Sequence, residues 1–404
     1  MSFDPAAATK AYIDSLGPAA LEKAASYTIG SEWLSFWGVV VSALVTFLFV
    51  RLRILDRIDA RLGRRGFALR TFLVCAAFLL LSAIVTLPWN LYEGWWRETA
   101  YGRTSQPLGD YLGQGGISIV LGTLFGALFF LGIYALIRRA GKRWWVWSGG
   151  LAALAISLIM LLAPIVVEPL FNDYKPVPAG PVRDALIVQA KEAGIEPDRI
   201  FMYDGSRQSN NFTANVSGIG HSARIAISDV ALKGASLDEV KAVTGHEIGH
   251  YVLGHIWIIV VVFSLLAILL FFLADRLFPR VARAFGSDAT IGDPRGFPVL
   301  MFLLSLFAFL VQPVQNTLSR IDESSADAYS LRTVNLPDAL ATALVKTAEY
   351  RSPRPNAVEE FIFYSHPSVE RRVRAAMEWK AAHPPAEAPI PVPAQTSTAP
   401  AAAQ

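Results

Sequence analysis

Long apolar runs constrain this chain most, because roughly 20 predominantly apolar residues are needed to cross a bilayer as a helix. Six such runs lie at residues 33–50, 71–89, 117–137, 144–167, 256–274, and 297–311 with its flanks. The alternative is that these runs are buried helices of a large soluble core. Such helices are expected to be shorter and to have a polar face, and residues 256–274 have no polar face. Only 17% of the residues are charged, against about 25% in a typical soluble domain. The chain is therefore predicted to be a mainly α-helical, polytopic membrane bundle of about six spans.

The apolar runs divide the chain into two predicted domains and a tail. Residues 1–170 contain four spans and form an N-terminal membrane domain. Residues 171–382 are predicted to form a polar domain, interrupted by a two-span membrane hairpin at about residues 256–311. Residues 383–404 are rich in Pro and Ala and have too little apolar surface to offset the entropy of ordering, which predicts a disordered tail. Whether residues 8–30 form an additional span is left open.

The polar domain has the patterns of a small α+β module. Residues 182–193 have helical periodicity, whereas residues 199–203 and 224–228 alternate as strands do. Ser236 and Glu239 have the spacing of a capping box, in which the two side chains accept hydrogen bonds from orphan amides at a helix start. A long helix is therefore predicted to begin there and to run on, or nearly so, into the fifth span.

That helix contains the run His246-Glu247-Ile248-Gly249-His250. Two His residues four apart lie on one helical face, with a carboxylate between them. Neutral imidazole is a good zinc ligand, and a catalytic zinc site combines three protein ligands with a water whose pKa falls to about 7. A chance pairing of solvated or structural His residues is the alternative, but the uncharged flanks and the capping box favour a metal site. His246 and His250 are predicted metal ligands, and Glu247 is the predicted general base.

A third ligand must come from elsewhere in the chain. Glu323 and Asp327 follow the sixth span and lie four residues apart, on one helical face. Because the fifth and sixth spans form a hairpin, His250 before it and Glu323 after it are expected on the same side of the membrane. Glu323 is therefore the predicted third ligand, and Asp327 is predicted to hydrogen-bond the outer nitrogen of a ligating His. The alternative is a solvated acidic helix face.

Five separated motifs in this order resemble those of the zinc-dependent type I CAAX prenyl proteases. These are integral-membrane peptidases of the gluzincin type that include the a-factor-converting enzyme of yeast and many bacterial relatives. The motifs are Leu87-Pro-Trp-Asn-Leu-Tyr92, Ser209-Asn210-Asn211-Phe212-Thr213, His246-Glu-Ile-Gly-His250, Ser319-Arg320 through Asp327, and Tyr364-Ser365-His366-Pro367. The resemblance covers most of the chain.

The resemblance implies a helix bundle that encloses a chamber, with a zincin-like module holding one zinc ion per chain at its wall. It implies that Glu323 completes the zinc site, and that His366 and Arg372 approach the zinc and the substrate backbone as catalytic residues. His366 would then donate a hydrogen bond to the developing oxyanion, and Arg372 would steady a carboxylate or carbonyl. It also implies that residues 210–214 lie at an edge strand where an extended peptide adds, with Asn210 and Asn211 binding that substrate.

The function expected from these residues is that of an integral-membrane zinc metalloendopeptidase. Its expected partners are the lipid bilayer and a peptide or protein substrate, which the resemblance extends to prenylated or membrane-associated ones. A net charge of +3 is too small to imply a nucleic-acid partner. One alternative keeps this fold but assigns it to quality control of membrane proteins. Another is a zinc-binding transporter or structural protein, which predicts a closed metal shell or intramembrane ligands.

The chain is expected to be a multi-pass protein of a bacterial inner membrane, with two conflicting indications of orientation. Basic residues are concentrated at 51–70 and 138–143, in the loops after the first and third spans. The positive-inside rule makes these loops cytoplasmic and places the zinc module on the exported face. Family resemblance implies a cytosolic zinc site instead, so the side is left open.

Overall fold

The computed structural model describes residues 3–348 and 351–384. The α-helices are α1 (Pro5–Asp14), α2 (Gly17–Arg51), α3 (Ile54–Leu62), α4 (Phe67–Val85), α5 (Leu87–Leu91), α6 (Arg97–Ala100), α7 (Leu108–Ala140), α8 (Trp144–Leu162), α9 (Pro181–Glu192), α10 (Asp229–Gly234), α11 (Leu237–Val252), α12 (His255–Phe285), α13 (Phe297–Thr333), α14 (Pro337–Lys346), α15 (Ala357–Phe363) and α16 (Val369–Ala382). The strands are β1 (Tyr174–Pro176), β2 (Ile200–Tyr203), β3 (Ala214–Ser217) and β4 (Arg224–Ser228). The predicted tail, residues 383–404, lies almost wholly outside the described residues.

Five helical segments of the described chain are long and apolar enough to cross a membrane. One of them, Leu108–Leu170, has 63 residues and contains both α7 and α8. A Cβ at Gly132 would lie 2.8 Å from Leu151 Cδ2, so the two helices fold back on each other around the short turn at Gly141–Arg143. This segment therefore accounts for two of the six predicted spans, and the helical membrane bundle expected from the sequence is confirmed.

Helix α2 begins well before the first predicted span. Its N-terminal part is held outside the apolar core of the bundle, where Tyr27 donates a hydrogen bond to Glu98 (2.7 Å). Helix α1 packs on the polar domain, since Ile13 is fully buried in a cluster that includes Leu340 and Val373. Residues 8–30 thus belong to α1 and the start of α2 and do not form a separate apolar span.

The sheet of the polar domain has strand order β1-β2-β4-β3. Strands β2 and β4 are parallel, with Ile200 opposite Ile225, and the two outer strands are antiparallel to their neighbours. Strand β4 is buried along its whole length because helices α9 and α11 cover it together with the neighbouring strands. Strand β3 lies at an edge of the sheet and pairs only with β4 among the described strands.

Helix α11 starts at the predicted capping box. Ser236 Oγ accepts a hydrogen bond from the Glu239 amide (3.2 Å), and Glu239 Oε2 accepts one from the Ser236 amide (2.6 Å). The helix ends at Val252 because Gly254 adopts a left-handed backbone with φ of +70°. Helix α12 then leaves the polar domain for 31 residues, about 46 Å at 1.5 Å per residue. Helix α13 returns over 37 residues and brings its C-terminal half against α11.

Small residues on α11 allow this close approach. A Cβ on Gly249 would lie 3.1 Å from the Ala326 Cα, and one on Gly245 would lie 2.5 Å from Val334 Cγ2. Ser330 of α13 also donates a hydrogen bond to the Ala242 carbonyl (2.7 Å). The two helices are therefore fixed in register where their polar side chains face each other.

The basic loops lie at the other end of the bundle. Arg295, just before α13, pairs with Asp56 of α3 (3.0 Å), and Arg70 at the start of α4 pairs with Asp59. Both pairs lie near the far ends of α12 and α13, about 40 Å or more along these helices from the contact between α11 and α13.

Candidate metal centre

Three side chains from α11 and α13 converge on one point. His246 Nε2 and His250 Nε2 are 3.1 Å apart. Glu323 Oε2 is 3.4 Å from His246 Nε2, and Glu323 Oε1 is 3.5 Å from His250 Nε2. Atoms bound tetrahedrally to one zinc ion at about 2.0–2.1 Å lie about 3.3 Å apart. The three side chains therefore have the separation that a shared metal ion requires.

The hydrogen bonding around Glu323 also fits a cation. Its side chain is buried, and Oε2 has no hydrogen-bond partner among the described residues. A buried carboxylate oxygen without a donor is unfavourable. One carboxylate and two imidazoles form a donor set typical of zinc, so the residues present fit that metal.

Asp327 and Arg372 fix one ligand from behind. Asp327 Oδ1 is 2.9 Å from His246 Nδ1, and Arg372 donates two hydrogen bonds of 2.7 Å to the two oxygens of Asp327. Burial disfavours the charged form of His246, but Asp327 and Glu323 outweigh it and raise the pKa of His246 to about 9. The same negative field stabilises a bound cation. The guanidinium of Arg372, predicted to contact substrate, is engaged by Asp327 and lies 3.6 Å from Glu323.

The second imidazole is supported by residues that the motifs did not identify. His250 Nδ1 is 2.8 Å from His255 Nδ1, and His255 Nε2 is 3.0 Å from Ser325 Oγ. Ser325 in turn donates to the Asp322 carbonyl (2.8 Å). If His250 uses Nε2 for a metal, its Nδ1 carries the ring proton and donates a hydrogen bond to His255 Nδ1. His255 then carries its proton on Nε2 and donates a hydrogen bond to Ser325 Oγ. Every donor in this chain of hydrogen bonds then has an acceptor.

Glu247 lies between the two imidazoles in sequence and faces a cavity. Burial raises the pKa of the Glu247 carboxyl above its ordinary value, and the two neighbouring imidazoles partly oppose this effect. A carboxylate with a raised pKa is a better proton acceptor at neutral pH than an exposed one. Glu247 thus combines access to the cavity with the basicity that proton transfer needs.

His366 approaches the same point from the segment between α15 and α16. Its Nε2 is 3.2 Å from Glu323 Oε1, and its Nδ1 is 3.0 Å from Ser365 Oγ. Burial lowers the pKa of His366 to about 3, so the imidazole is neutral at physiological pH. If Ser365 donates to Nδ1, the single ring proton is on Nε2 and points towards the metal centre.

The cavity at this centre has a volume of about 590 Å³. Its walls come from α2, the start of β3, α11, α14 and the segment that carries His366. Helix α2 contributes Thr28 and Glu32 to the wall, and β3 contributes Ala214 together with Thr213, which precedes the strand. The cavity therefore lies among the N-terminal part of α2, the edge of the sheet and the helices of the polar domain.

The two Asn residues predicted to bind substrate lie before β3 rather than on it. Strand β3 begins at Ala214, so only the last residue of the predicted edge segment belongs to it. The Asn210 amide nitrogen donates to the Gly102 carbonyl (3.0 Å), and its oxygen accepts from Ser105 (3.1 Å). The side-chain oxygen of Asn211 is buried and has no partner among the described residues. Asn210 thus anchors the loop to the membrane domain, and a substrate contact by either Asn stays a prediction.

Two protein-family profiles match this chain. The profile of peptidase family M48 matches residues 177–380, just over half of the chain. A second profile, described as CAAX prenyl protease N-terminal, five membrane helices, matches residues 5–173. Between them the two profiles include every residue of the metal centre described above.

Individual relatives match over most of their length. Uncharacterized metalloprotease YhfN of Bacillus subtilis (strain 168) is 28% identical over 369 residues, which cover 89% of this chain and 86% of that protein. CAAX prenyl protease 1 homolog of Homo sapiens is 26% identical over 419 residues, with coverage of 89% and 86%. The crystal structure of S. mikatae Ste24p superposes with a TM-score of 0.72 at 21% identity, covering 92% of this chain and 95% of that chain. The last comparison shows a shared fold.

Proposed function

We propose that this chain, which belongs to peptidase family M48 and is a membrane metalloendopeptidase, uses one zinc ion held by His246, His250 and Glu323. The observation that carries the proposal is the convergence of one atom from each of these side chains within 4.8 Å. The partnerless oxygen of Glu323 supports it further. A zinc transporter or structural zinc protein is not favoured, because the peptidase family match covers the three ligands and all three line the cavity.

Zinc held by these three residues would supply Lewis acidity, which would lower the pKa of a water and polarise a peptide carbonyl. In the proposed mechanism Glu247 accepts the proton of the attacking water and passes it to the leaving amine. His366, neutral and with a proton on Nε2, donates a hydrogen bond to the oxygen of the tetrahedral intermediate. Both side chains line the cavity that would hold the substrate.

Asp327 and Arg372 are proposed to act through the ligands. Asp327 holds His246 in the tautomer that leaves Nε2 free for the metal, and Arg372 holds Asp327 through two parallel bonds. Because Arg372 is engaged there, we propose that it is a positioning residue, and that the carboxylate it steadies is that of Asp327.

The substrate is proposed to be a peptide that binds in extended form along β3. The support is the free edge of this strand and the position of Thr213 and Ala214 in the cavity wall. Asn210 and Asn211 would act at the start of this edge. Because α2, a candidate membrane span, also lines the cavity, we propose that the peptide belongs to a membrane-associated protein. Relatives named CAAX prenyl protease support a prenylated substrate.

The proposed location is a bacterial inner membrane, supported by the likeness to the Bacillus relative. The protein is multi-pass, as its helical segments and the N-terminal family match show. Its metal centre lies at the end of the bundle away from the basic loops. The side of the membrane that the metal centre faces is therefore opposite to the side on which the basic loops lie.

The experiment is a peptide cleavage assay on zinc-loaded protein in detergent. Glu247→Gln is expected to keep its zinc and to lose at least about 100-fold in kcat, because general base catalysis contributes about 10²- to 10⁴-fold. Asp238→Asn, on the exposed face of the same helix, is the matched control and should cleave as the unchanged protein does. Matched peptides with and without a prenyl group would show whether the lipid raises kcat/KM. Undiminished cleavage by Glu247→Gln would overturn the role of this residue.

A further inference from the structure

One arginine in the wall of the cavity has no function in the mechanism above. Arg351 lies between α14 and α15, on the side of the cavity formed by α2. Its segment is held firmly: the Ser352 amide donates to Thr28 Oγ1 (2.7 Å), and Tyr364 donates to the Ser352 carbonyl (3.0 Å). The backbone next to Arg351 is therefore fixed against α2, and the Arg351 side chain lines the cavity that holds the metal centre.

The other two arginines of the cavity wall are neutralised by carboxylates. Arg372 pairs with Asp327 at 2.7 Å, and Arg103 pairs with Glu98 at 3.0 Å. Arg351 makes no ion pair and no side-chain hydrogen bond with any other residue in the described ranges 3–348 and 351–384. Burial, together with the positive charge of Arg372, lowers the pKa of Arg351. A mostly buried cation without a partner is unfavourable in the free protein.

The carboxylates of the cavity do not remove this imbalance. Glu323 belongs to the metal centre, and Glu247 stands beside the two imidazoles. Glu32 on α2 lies next to Glu359, and neither forms an ion pair with the guanidinium of Arg351. The field of Arg351 nevertheless reaches the metal centre, because it contributes to lowering the pKa of His366. As far as residues 3–348 and 351–384 are concerned, the cavity that contains the metal centre therefore presents an unmatched cation.

We propose that Arg351 binds a carboxylate of the substrate peptide. This inference rests on the proposed peptidase function. It assigns the cavity a preference for peptides that carry a suitably placed carboxylate, which the metal ligands do not account for. A guanidinium presents its donors in a planar fork that matches both oxygens of a carboxylate. Two sources have this chemistry, the C-terminal carboxylate of the peptide and the side chain of Asp or Glu. An anionic group from the substrate would pair the cation at the moment of binding.

The magnitude follows from the energy of charged hydrogen bonds. A hydrogen bond to a charged group in a partly buried site changes an affinity by about tenfold or more. A peptide with a suitably placed carboxylate is therefore expected to bind about tenfold more tightly than the same peptide without one. Replacement of Arg351 by Gln should remove this difference and leave the affinity for the neutral peptide within about twofold.

The test measures binding rather than cleavage, using the full zinc-loaded chain with Glu247→Gln in detergent. Three versions of one peptide are compared by calorimetry: a free C-terminal acid, the C-terminal amide, and the amide with one internal Gln changed to Glu. Tighter binding of the free acid identifies the C-terminus as the source, and tighter binding of the Glu peptide identifies a side chain. Equal affinities for all three, or no binding by any of them, would overturn the proposal.

Arg351→Gln and Arg351→Lys in the same background locate the effect. The Gln variant should lose the preference, whereas the Lys variant, which keeps the charge but not the fork, should retain part of it. Arg354→Gln is the matched control, since Arg354 is exposed and pairs with Asp14 and Glu370 outside the cavity. A preference that persists in Arg351→Gln would assign it to the metal or to another arginine and contradict the proposal.

Thermal stability gives a second readout and separates this inference from the proposed function. Removal of a buried, unpaired charge is expected to raise the Tm of the peptide-free Arg351→Gln protein above that of its parent. A lowered Tm would show that Arg351 is a structural residue and would contradict the proposal. The proposed function fails by a different result, namely the absence of Glu247-dependent peptide cleavage.

Discussion

At the scale of single residues, the metal centre consists of ligands and of the neighbours that fix their tautomers. His246 has Asp327 behind it, and His250 has His255 behind it. A ring nitrogen that donates to a fixed acceptor leaves the other nitrogen free to bind a metal. Each imidazole is therefore oriented before a metal binds, and this reduces the reorganisation that metal binding requires.

Loss of His255 is expected to weaken the metal site although His255 itself is 4.9 Å, ring to ring, from His250. His255→Ala should lower zinc affinity by about 10- to 100-fold, the usual effect of removing a partner of a ligating His. The measurement is competition with a chelator of known affinity. Ser325→Ala, one step further from the metal, should have a smaller effect. An unchanged zinc affinity in His255→Ala would show that His250 is held by other contacts.

The ligands could be predicted from sequence, whereas these supporting residues could not. Two His residues four apart share a helical face, so His246 and His250 are apparent from spacing alone. On a continuous helix His255 would point away from His250, because five residues correspond to about 500° of rotation. The left-handed residue Gly254 breaks the helix and turns His255 back. Arg351 lies in a loop, where no periodicity indicates which way a side chain faces.

At the scale of secondary-structure elements, the contact between α11 and α13 positions Glu323. Gly245 and Gly249 have no side chains that would separate the two helices. Helix α13 is long enough to place the Glu323 carboxylate beside the two imidazoles of α11. The geometry of the site therefore depends on backbone-to-backbone distance as much as on the ligands themselves.

Gly249→Ala is expected to disturb this contact. The added methyl group would lie 3.1 Å from Ala326 Cα and 3.2 Å from its carbonyl oxygen, and backbone atoms of a packed helix move little. Overpacking of this kind costs about 1–3 kcal/mol, and it would shift Glu323 away from the imidazoles. Both Tm and zinc affinity should fall in a thermal and chelator titration. Gly122→Ala, with open space around its Cβ, is the control and should change neither.

The helices and the central strands follow from sequence pattern, but the edge of the sheet does not. Strand β4 was predicted at its observed bounds, and the capping box located the start of α11. Strand β1 has three residues and includes Pro176, and β3 has only one β-branched residue, Val216, so neither has the composition that indicates a strand. The break between α11 and α12 depends on the positive φ of Gly254. A single Gly between a polar and an apolar helix suggests such a break but does not specify it.

At the scale of the whole molecule, the bundle separates its basic loops from its metal centre. The ion pairs of Asp56 with Arg295 and of Asp59 with Arg70 hold the loops together at one end. The polar domain covers the other end and includes α1, α14 and α16. The hairpin of α12 and α13 connects the two ends, so the basic loops and the peptidase module are predicted to lie on opposite sides of the membrane.

Labelling of single cysteines tests this separation. The chain has one cysteine, Cys75, which is fully buried, so Cys75→Ala provides a suitable background. Arg64→Cys reports the basic end, and Val358→Cys, at a side chain that is 66% exposed, reports the metal end. A membrane-impermeant maleimide added to sealed vesicles should label one position and not the other. Labelling of both from the same side would contradict the arrangement, whereas the identity of the labelled position gives the orientation.

The zinc content of ligand variants tests the central claim most directly. Purified, unchanged protein is expected to contain one zinc per chain by elemental analysis, and Glu323→Ala should contain far less after dialysis against a weak chelator. Glu370→Gln, at a partly exposed acid paired with Arg354, should retain full occupancy. A Glu323→Ala protein that keeps one zinc per chain with undiminished affinity would contradict the account, because the carboxylate from α13 would then not be a ligand.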